Sequence, residues 1–218
     1  MSSPAACGCG HPDAHADDCE GASLFGCVDL PRVTCLNERV PGSCRGVLRP
    51  LAERARRDAP PLRSQPGDAD LLLVLPLTSV CRVKSVCVSG ADDGSAPRLL
   101  RVWANREDLG WAEAEATPPT QELELPVDAA ADAWHALRAA RFGAVSSLTL
   151  LLRGTHGGGG GGDGGDGDGD GASAVYFVGL KGASSGLTRR LVEAVYEARP
   201  QLSDHQARAD AGGGRVGM

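Results

Sequence analysis

The chain has 218 residues, 42% hydrophobic but only 4% aromatic, so it is long enough to bury a core and must build it from Leu, Val and Ala. Its formal charge of -6 is local: four acids and no Lys or Arg fall in the first 24 residues, and four aspartates fall between Gly157 and Gly171. The remainder is close to neutral, which removes the electrostatic reason to expect a nucleic-acid or membrane partner.

The longest apolar run, Leu71 to Leu77, contains Pro76 and is far short of the roughly 20 residues of a spanning helix. The N-terminus lacks the basic start and unbroken apolar stretch of a signal peptide, so the expected compartment is cytoplasm or nucleus, where thiols stay reduced. The eight cysteines are therefore read as thiols or metal ligands before disulfides.

Residues 1–24 read as a disordered acidic tail, with Leu24 the first large aliphatic residue after Met1. Cys7, Cys9, His11, His15 and Cys19 in it have spacings that suit a soft metal, but no apolar residues that could build a zinc knuckle around one. A flexible tail that binds metal only adventitiously is the expectation, with no metal or other cofactor required. Cys27, Cys35 and Cys44 follow, then a basic stretch holding Arg45, Arg49, Arg54, Arg56, Arg57 and Arg63, without aromatic interleaving. Its plain reading is a solvated loop, and its sharper one a surface for an acidic protein partner, with Arg45, Arg49, Arg54, Arg56 and Arg57 as contacts.

Short Val- and Leu-rich runs bounded by turn residues come next: Leu71 to Leu77, Val80 to Ser89, an acidic turn at Ala91 to Gly94, Leu99 to Trp103, Gln121 to Leu125, Leu148 to Leu152 and Ala174 to Leu180. Runs of this length and spacing predict an all-β sandwich or barrel. Cys81 and Cys87 fall in a strand-like run and are expected in the core. Two stretches conflict with that class on propensity, the Ala-rich 128–141 and the segment 187–199. Eight-residue helices are marginal alone, and Val192, Ala194 and Tyr196 alternate, so His135 to Arg141 and Leu191 to Ala198 are predicted to be strands.

Between Leu152 and Ala174 lies the Gly/Asp tract, residues 157–171. Asp166, Asp168 and Asp170 look like the start of an EF-hand loop, but the position of its bidentate acid is Phe177. The tract is expected to be a flexible insertion within a hairpin, since a Gly-rich loop costs little extra entropy as it lengthens. Residues 206–218 read as a second disordered tail. No Cys-x-x-Cys, Gly-x-Ser-x-Gly, phosphate loop or His-Glu-x-x-His occurs, and an enzyme is not expected.

Several stretches resemble the PITH-domain family, named for a proteasome-interacting thioredoxin whose C-terminal half is this domain. The resemblance rests on Cys35-Leu36-Asn37-Glu38, Arg45-Gly46-Val47, Asp70-Leu71-Leu72 with Pro76-Leu77-Thr78, and Val80 to Val88 with Asp92-Asp93-Gly94. It continues through Pro119 to Leu125, Arg141-Phe142-Gly143-Ala144-Val145, Tyr176 to Gly182, Tyr196-Glu197-Ala198 and Asp204-His205. The matched motifs run in order from about Val28 to His205. With only some 25 residues ahead of a domain at 25–205, stand-alone members look closest, as no thioredoxin module of roughly 100 residues would fit.

The resemblance implies a jelly-roll-like antiparallel β-sandwich of the galactose-binding-domain type. It also implies a non-enzymatic, monomeric adaptor whose partner is the regulatory particle of the 26S proteasome. The long Gly/Asp tract and the small residues Ala183-Ser184-Ser185-Gly186 are departures from relatives. The rival readings are a small-ligand or carbohydrate-binding jelly roll, marked by exposed Trp103, Trp111 and Trp134 clustered at one end, and a metal-handling protein using the N-terminal tail.

Overall fold

The computed structural model describes residues 21–157 and 171–188, with side chains through residue 186. The N-terminal Cys/His set, the interior of the Gly/Asp tract, the strand expected at Leu191 to Ala198 and the C-terminal tail lie outside the described residues.

Among the described residues nine strands occur, all pairing antiparallel: β1 Ala22–Ser23, β2 Thr34–Leu36, β3 Leu62–Arg63, β4 Leu71–Gly90, β5 Pro97–Ala104, β6 Gln121–Glu124, β7 His135–Ala136, β8 Val145–Thr155 and β9 Ala174–Thr188. A short α-helix, α1, spans Trp111–Ala116. The two predicted runs Leu71 to Leu77 and Val80 to Ser89 are thus one 20-residue strand. That strand organises the molecule. Its first half lies between β2 and β8, with β5 and β6 beyond β8; its second half lies between β7 and β9. The inward residues of both halves form one core: Leu71, Leu73 and Leu75 meet Leu100, Leu148 and Leu150 from the first layer and Val175, Val178 and Leu180 from the second. This is the expected antiparallel β-sandwich, with β4 passing from one layer to the other.

The passage needs a change of phase, because successive side chains in a strand alternate between faces. Leu71, Leu73, Leu75, Leu77, Cys81 and Val83 belong to the core on odd numbers. After a register shift between Val83 and Ser85 the core residues are Val86 and Val88, on even numbers. β9 does the same: Val175 is in the core, the pairing shifts opposite Ser89 and Gly90, and Val178 and Leu180 follow. Each bulge inserts one residue and thereby turns the next side chain over.

The outer faces carry small cores of their own. Leu72, Trp103 and Leu151 are covered by Leu109 and by α1 through Trp111 and Ala114. Cys87, Ala131 and Phe177 are covered by Leu51 and Trp134 on the other layer. Between its turn residues the Ala-rich stretch is strand only at His135–Ala136, which pairs with Val86 and Ser85; Ala139 to Arg141 turn instead. The predicted strand from His135 to Arg141 is therefore mostly irregular. The backbone is satisfied singly, as Leu137 N–H donates to Lys84 and Val83 N–H to the Phe142 carbonyl.

The Gly/Asp tract does not close a hairpin, because β4 separates β8 from β9. Its two ends nevertheless rest on one turn: His156 N–H donates to Ala96, Gly157 N–H to Gly94, and Ala174 N–H to Ser95. The segment Ala183 to Gly186 continues β9 instead of forming a loop.

Candidate functional site

Residues 45–58 run across one end of the second layer as two 3-10 turns, Ser43–Val47 and Leu51–Glu53, joined by extended backbone. The start of this segment is set by Glu38. Its Oε1 accepts from Gly42 N–H (2.6 Å), and its Oε2 from Cys44 N–H (2.9 Å) and Ser43 Oγ (3.1 Å). The neighbouring Asn37 holds a left-handed φ of 69°, and its amide donates to the Asp70 carbonyl at 2.7 Å.

The five arginines predicted to meet a partner are placed along this segment, and all five bind the chain to itself. Arg45 donates to the Pro31 carbonyl at 3.1 Å. Arg54 pairs with Asp132 at 3.1 Å, and Arg56 with Asp58 at 2.5 Å and Glu53 at 3.3 Å. Hydrogen bonds to Asp58 and then Glu53 hold the Arg56 guanidinium above its usual range, and the same contact with Arg56 lowers the Asp58 carboxyl. Arg57 donates to Ser89 Oγ at 2.7 Å and to the Ala129 carbonyl, with its guanidinium 4.6 Å from the Tyr176 ring centre.

Arg49 differs. Its Nη2 donates to the carbonyls of Tyr176 and Arg56, while Nε and Nη1 are buried without a hydrogen-bond partner among the described residues. Burial, followed by the charges of Arg56 and Arg57, pushes its guanidinium below the usual value. It lines a recess formed with Phe25, Leu51, Trp134, Phe177 and Val178, and among the described lining residues it is the one that is charged. The room inside is that of about one water molecule, too little for a sugar ring. Lys181 stands 4.3 Å over the Trp134 ring.

The three tryptophans do not gather at one end. Trp103 is buried, donating from Nε1 to the Pro118 carbonyl at 3.1 Å, and packs with Trp111 on the first layer, whereas Trp134 covers the second. Cys27, Cys35, Cys44, Cys81 and Cys87 are free thiols, and Cys81 and Cys87 are core residues as expected. Burial, then Glu38, pushes Cys44 up to about 11; burial, then Asp128, pushes Cys87 up to about 12. Neither is a thiolate at neutral pH, so neither is a ready nucleophile. Ser85 Oγ and His135 Nε2 are each buried without a partner, and Asp128 spends its carboxylate on the N–H groups of Asp132 and Ala133. Among the described residues no group of three metal-ligating side chains converges. No helix among them is long and apolar enough to cross a membrane.

A two-layered antiparallel β domain, with tightly filled interior and a loop segment strapped over one end, is the class defined by these features. The model of the PITH domain matches residues 14–200, and the chain belongs to the PITH-domain family. PITH domain-containing protein 1 of Dictyostelium discoideum is 28% identical over 191 residues, covering 88% of each chain. The human protein of the same description is 29% identical over 180 residues, covering 82% of this chain and 78% of its own. Among solved structures, a tandem of family 32 carbohydrate-binding modules from Clostridium perfringens ZmpB in complex with GalNAc aligns with 78% of this chain and 38% of its own, at a TM-score of 0.48 and 9% identity. The galactose-bound family 32 module of C. perfringens NanJ aligns with 72% and 96% at 0.46 and 7%.

Proposed function

We propose that this protein is a non-enzymatic adaptor that binds another protein, and that its partner is the regulatory particle of the 26S proteasome. The observation that carries this reading is the family match across residues 14–200, the domain being named for a proteasome-interacting thioredoxin. The side chains agree with it. The recess has room for about one water molecule, the buried thiols are held protonated, and polar groups with catalytic potential serve loop backbone or stand unpaired. On this reading the protein acts as a monomer in the cytoplasm and nucleus, needs no cofactor, and engages neither nucleic acid nor membrane. Affinity capture with the full chain from native lysate, read by mass spectrometry, tests it. The expected result is enrichment of regulatory-particle subunits over a beads-only control; their absence, with the bait folded, overturns the reading.

A further inference from the structure

The outer face of the second layer is covered over part of its length. Leu51, Ala131 and Trp134 close it over Cys87 and Phe177. Beyond Trp134 the described residues leave it exposed at Arg82, Lys84 and Ala183. Cys81 and Val83 belong to the core, so Arg82 between them points outward. Lys84 is the extra residue of the bulge: Val83 pairs with Gly182 and Ser85 with Lys181, and Lys84 has no counterpart on β9. The turn after β7 is fastened beside these two. Leu137 N–H donates to the Lys84 carbonyl at 2.8 Å and Val83 N–H to the Phe142 carbonyl at 3.0 Å. That turn carries Arg138 and Arg141, both exposed, and the small residues Ala139 and Ala140 between them screen neither.

Elsewhere Arg32, Arg54, Arg56, Arg101, Arg106 and Arg153 each pair with a carboxylate. Among the described residues Arg82, Lys84, Arg138 and Arg141 have no such partner. The sequence explains the difference, since residues 71–91, 133–162 and 171–192 contain no Asp or Glu. Four like charges gathered on one face attract an anion. They are spread over a strand and a turn, which suits carboxylates strung along a chain rather than a single bound ion.

The point where the chain enters selects the occupant. β1 pairs Ala22 with Gly182, and Gly182 pairs in turn with Val83, between Arg82 and Lys84. Two strand spacings, about 10 Å, separate Ala22 from Val83. Gly21, at φ 98°, packs on the Gly182 backbone so closely that a Cβ would lie 2.9 Å from it. Ahead of Gly21 the sequence carries Asp13, Asp17, Asp18 and Glu20 and no Lys or Arg. From Asp17 to Ala22 the chain reaches at most about 18 Å, so Asp17, Asp18 and Glu20 all come within range of Arg82 and Lys84. The inner face at this level is closed by Leu24, and the outer face is the one left open to them.

We propose that Arg82, Lys84, Arg138 and Arg141 form a docking surface for the chain's own acidic N-terminal segment, with the carboxylates of Asp17, Asp18 and Glu20 lying over β4 at the Lys84 bulge. The contact is intramolecular and electrostatic, and it covers the one face whose cations lack internal partners among the described residues. It stands independently of the adaptor reading.

The test is carbodiimide coupling of the full chain, which joins an amine to a carboxylate only where the two touch. The sequence has two lysines, Lys84 and the buried Lys181, so the products are few. In about 0.01 M salt, peptide mapping of monomer-mass protein is expected to show Lys84 joined to Asp17, Asp18 or Glu20. The yield is expected to fall at least about threefold in 1 M NaCl, where the Debye length is about 3 Å. It is expected to fall by at least as much at low salt in the folded triple variant Arg82→Gln, Arg138→Gln, Arg141→Gln, the scale of one or two exposed ion pairs. A yield unchanged by salt, or unchanged by the three substitutions, would mean that the tether alone brings the groups together, and it overturns the proposal. So does coupling of Lys84 to Glu193 or Glu197 in place of the N-terminal acids, which assigns the surface to the C-terminal segment. Coupling found only in dimer-mass protein assigns it to a second copy, and no coupling at a Lys84 that an amine-reactive ester still modifies leaves the surface unoccupied; both overturn it as well. The salt comparison uses wild type alone, so the outcome does not depend on the variant folding.

Discussion

The residues that carry the family resemblance turn out to be builders of turns and core. Asn37 takes the left-handed conformation and Glu38 gathers three donors from the loop after it. Asp93 accepts from Ser95 N–H at 2.9 Å ahead of the turn on which the tract rests, and Phe142 is fully buried. Such residues were legible because turn chemistry and alternation are local rules. His135 was not legible in this sense. The sequence shows an isolated histidine, while the structure places it on β7 with Nε2 buried and unpartnered. Burial lowers its pKa from the ordinary 6.5, against the opposing pull of Asp128. The sign follows from proton binding: below about 6.5 the unfolded chain takes up a proton that the folded chain resists, so stability is complete above that pH and declines as pH falls towards the folded value. The melting temperature of wild type is expected to fall from pH 7.5 to 5.5, and that of His135→Gln to fall less. Equal slopes, measured by calorimetry in matched buffers, would count against the burial of a neutral imidazole.

At the scale of elements, short Val- and Leu-rich runs bounded by turn residues mark each described strand of four residues or more, because a buried strand needs apolar residues and its ends need turn residues. The pattern did not show that Leu71 to Gly90 is continuous, since the polar Thr78 and Ser79, beside a register shift between Ser79 and Cys81, interrupt the apolar run and read as a boundary. Nor did it find α1, whose six residues WAEAEA are too few to establish a helical period. The Ala-rich stretch misled in the other direction. It has the propensity of a helix, yet two residues join the sheet and the rest is held by isolated hydrogen bonds, so packing decided its form. Gly182 shows how closely the elements approach. A Cβ there would lie 2.0 Å from the Arg82 carbonyl oxygen and 3.1 Å from Leu24 Cδ1, where β9 passes between β1 and β4. The oxygen belongs to a paired backbone and has no rotamer to yield. Gly182→Ala is therefore expected to cost about 3 kcal/mol, the upper end of ordinary overpacking, and to lower the melting temperature by roughly 6–12 °C. Gly46→Ala, with nothing within 4 Å of its Cβ, serves as the control and should change stability little. Comparable melting of the two variants would refute the tight crossing.

For the whole molecule, the sequence identified the fold class and family but not the recess, because Arg49, Trp134 and Phe177 lie on three separate segments whose meeting depends on the passage of β4 between layers. The basic stretch was legible as a cluster; that its members mostly bind their own chain was not, since Asp132, Ser89 and Tyr176 are remote in sequence. The same layered topology governs the Gly/Asp tract. β8 and β9 sit on opposite sides of β4, so the tract bridges two layers and a tight hairpin turn cannot replace it. Its ends are nonetheless tied to consecutive residues of one turn, through Gly94 and Ala96 on one side and Ser95 on the other. The distance to be spanned is then short, and a flexible linker of about five residues, reaching at most about 18 Å, should cover it. Because loop closure costs only about 0.6 kcal/mol per doubling of length, shortening the tract changes stability slightly in the favourable direction. Replacing residues 158–170 by such a Gly/Ser linker is expected to leave the melting temperature within about 4 °C of wild type, since ~1 kcal/mol moves a domain of this size by only a few degrees. A fall of more than about 8 °C would mean that the tract contributes packing or that its ends are held further apart than the shared turn implies, and either result would overturn its assignment as a spacer.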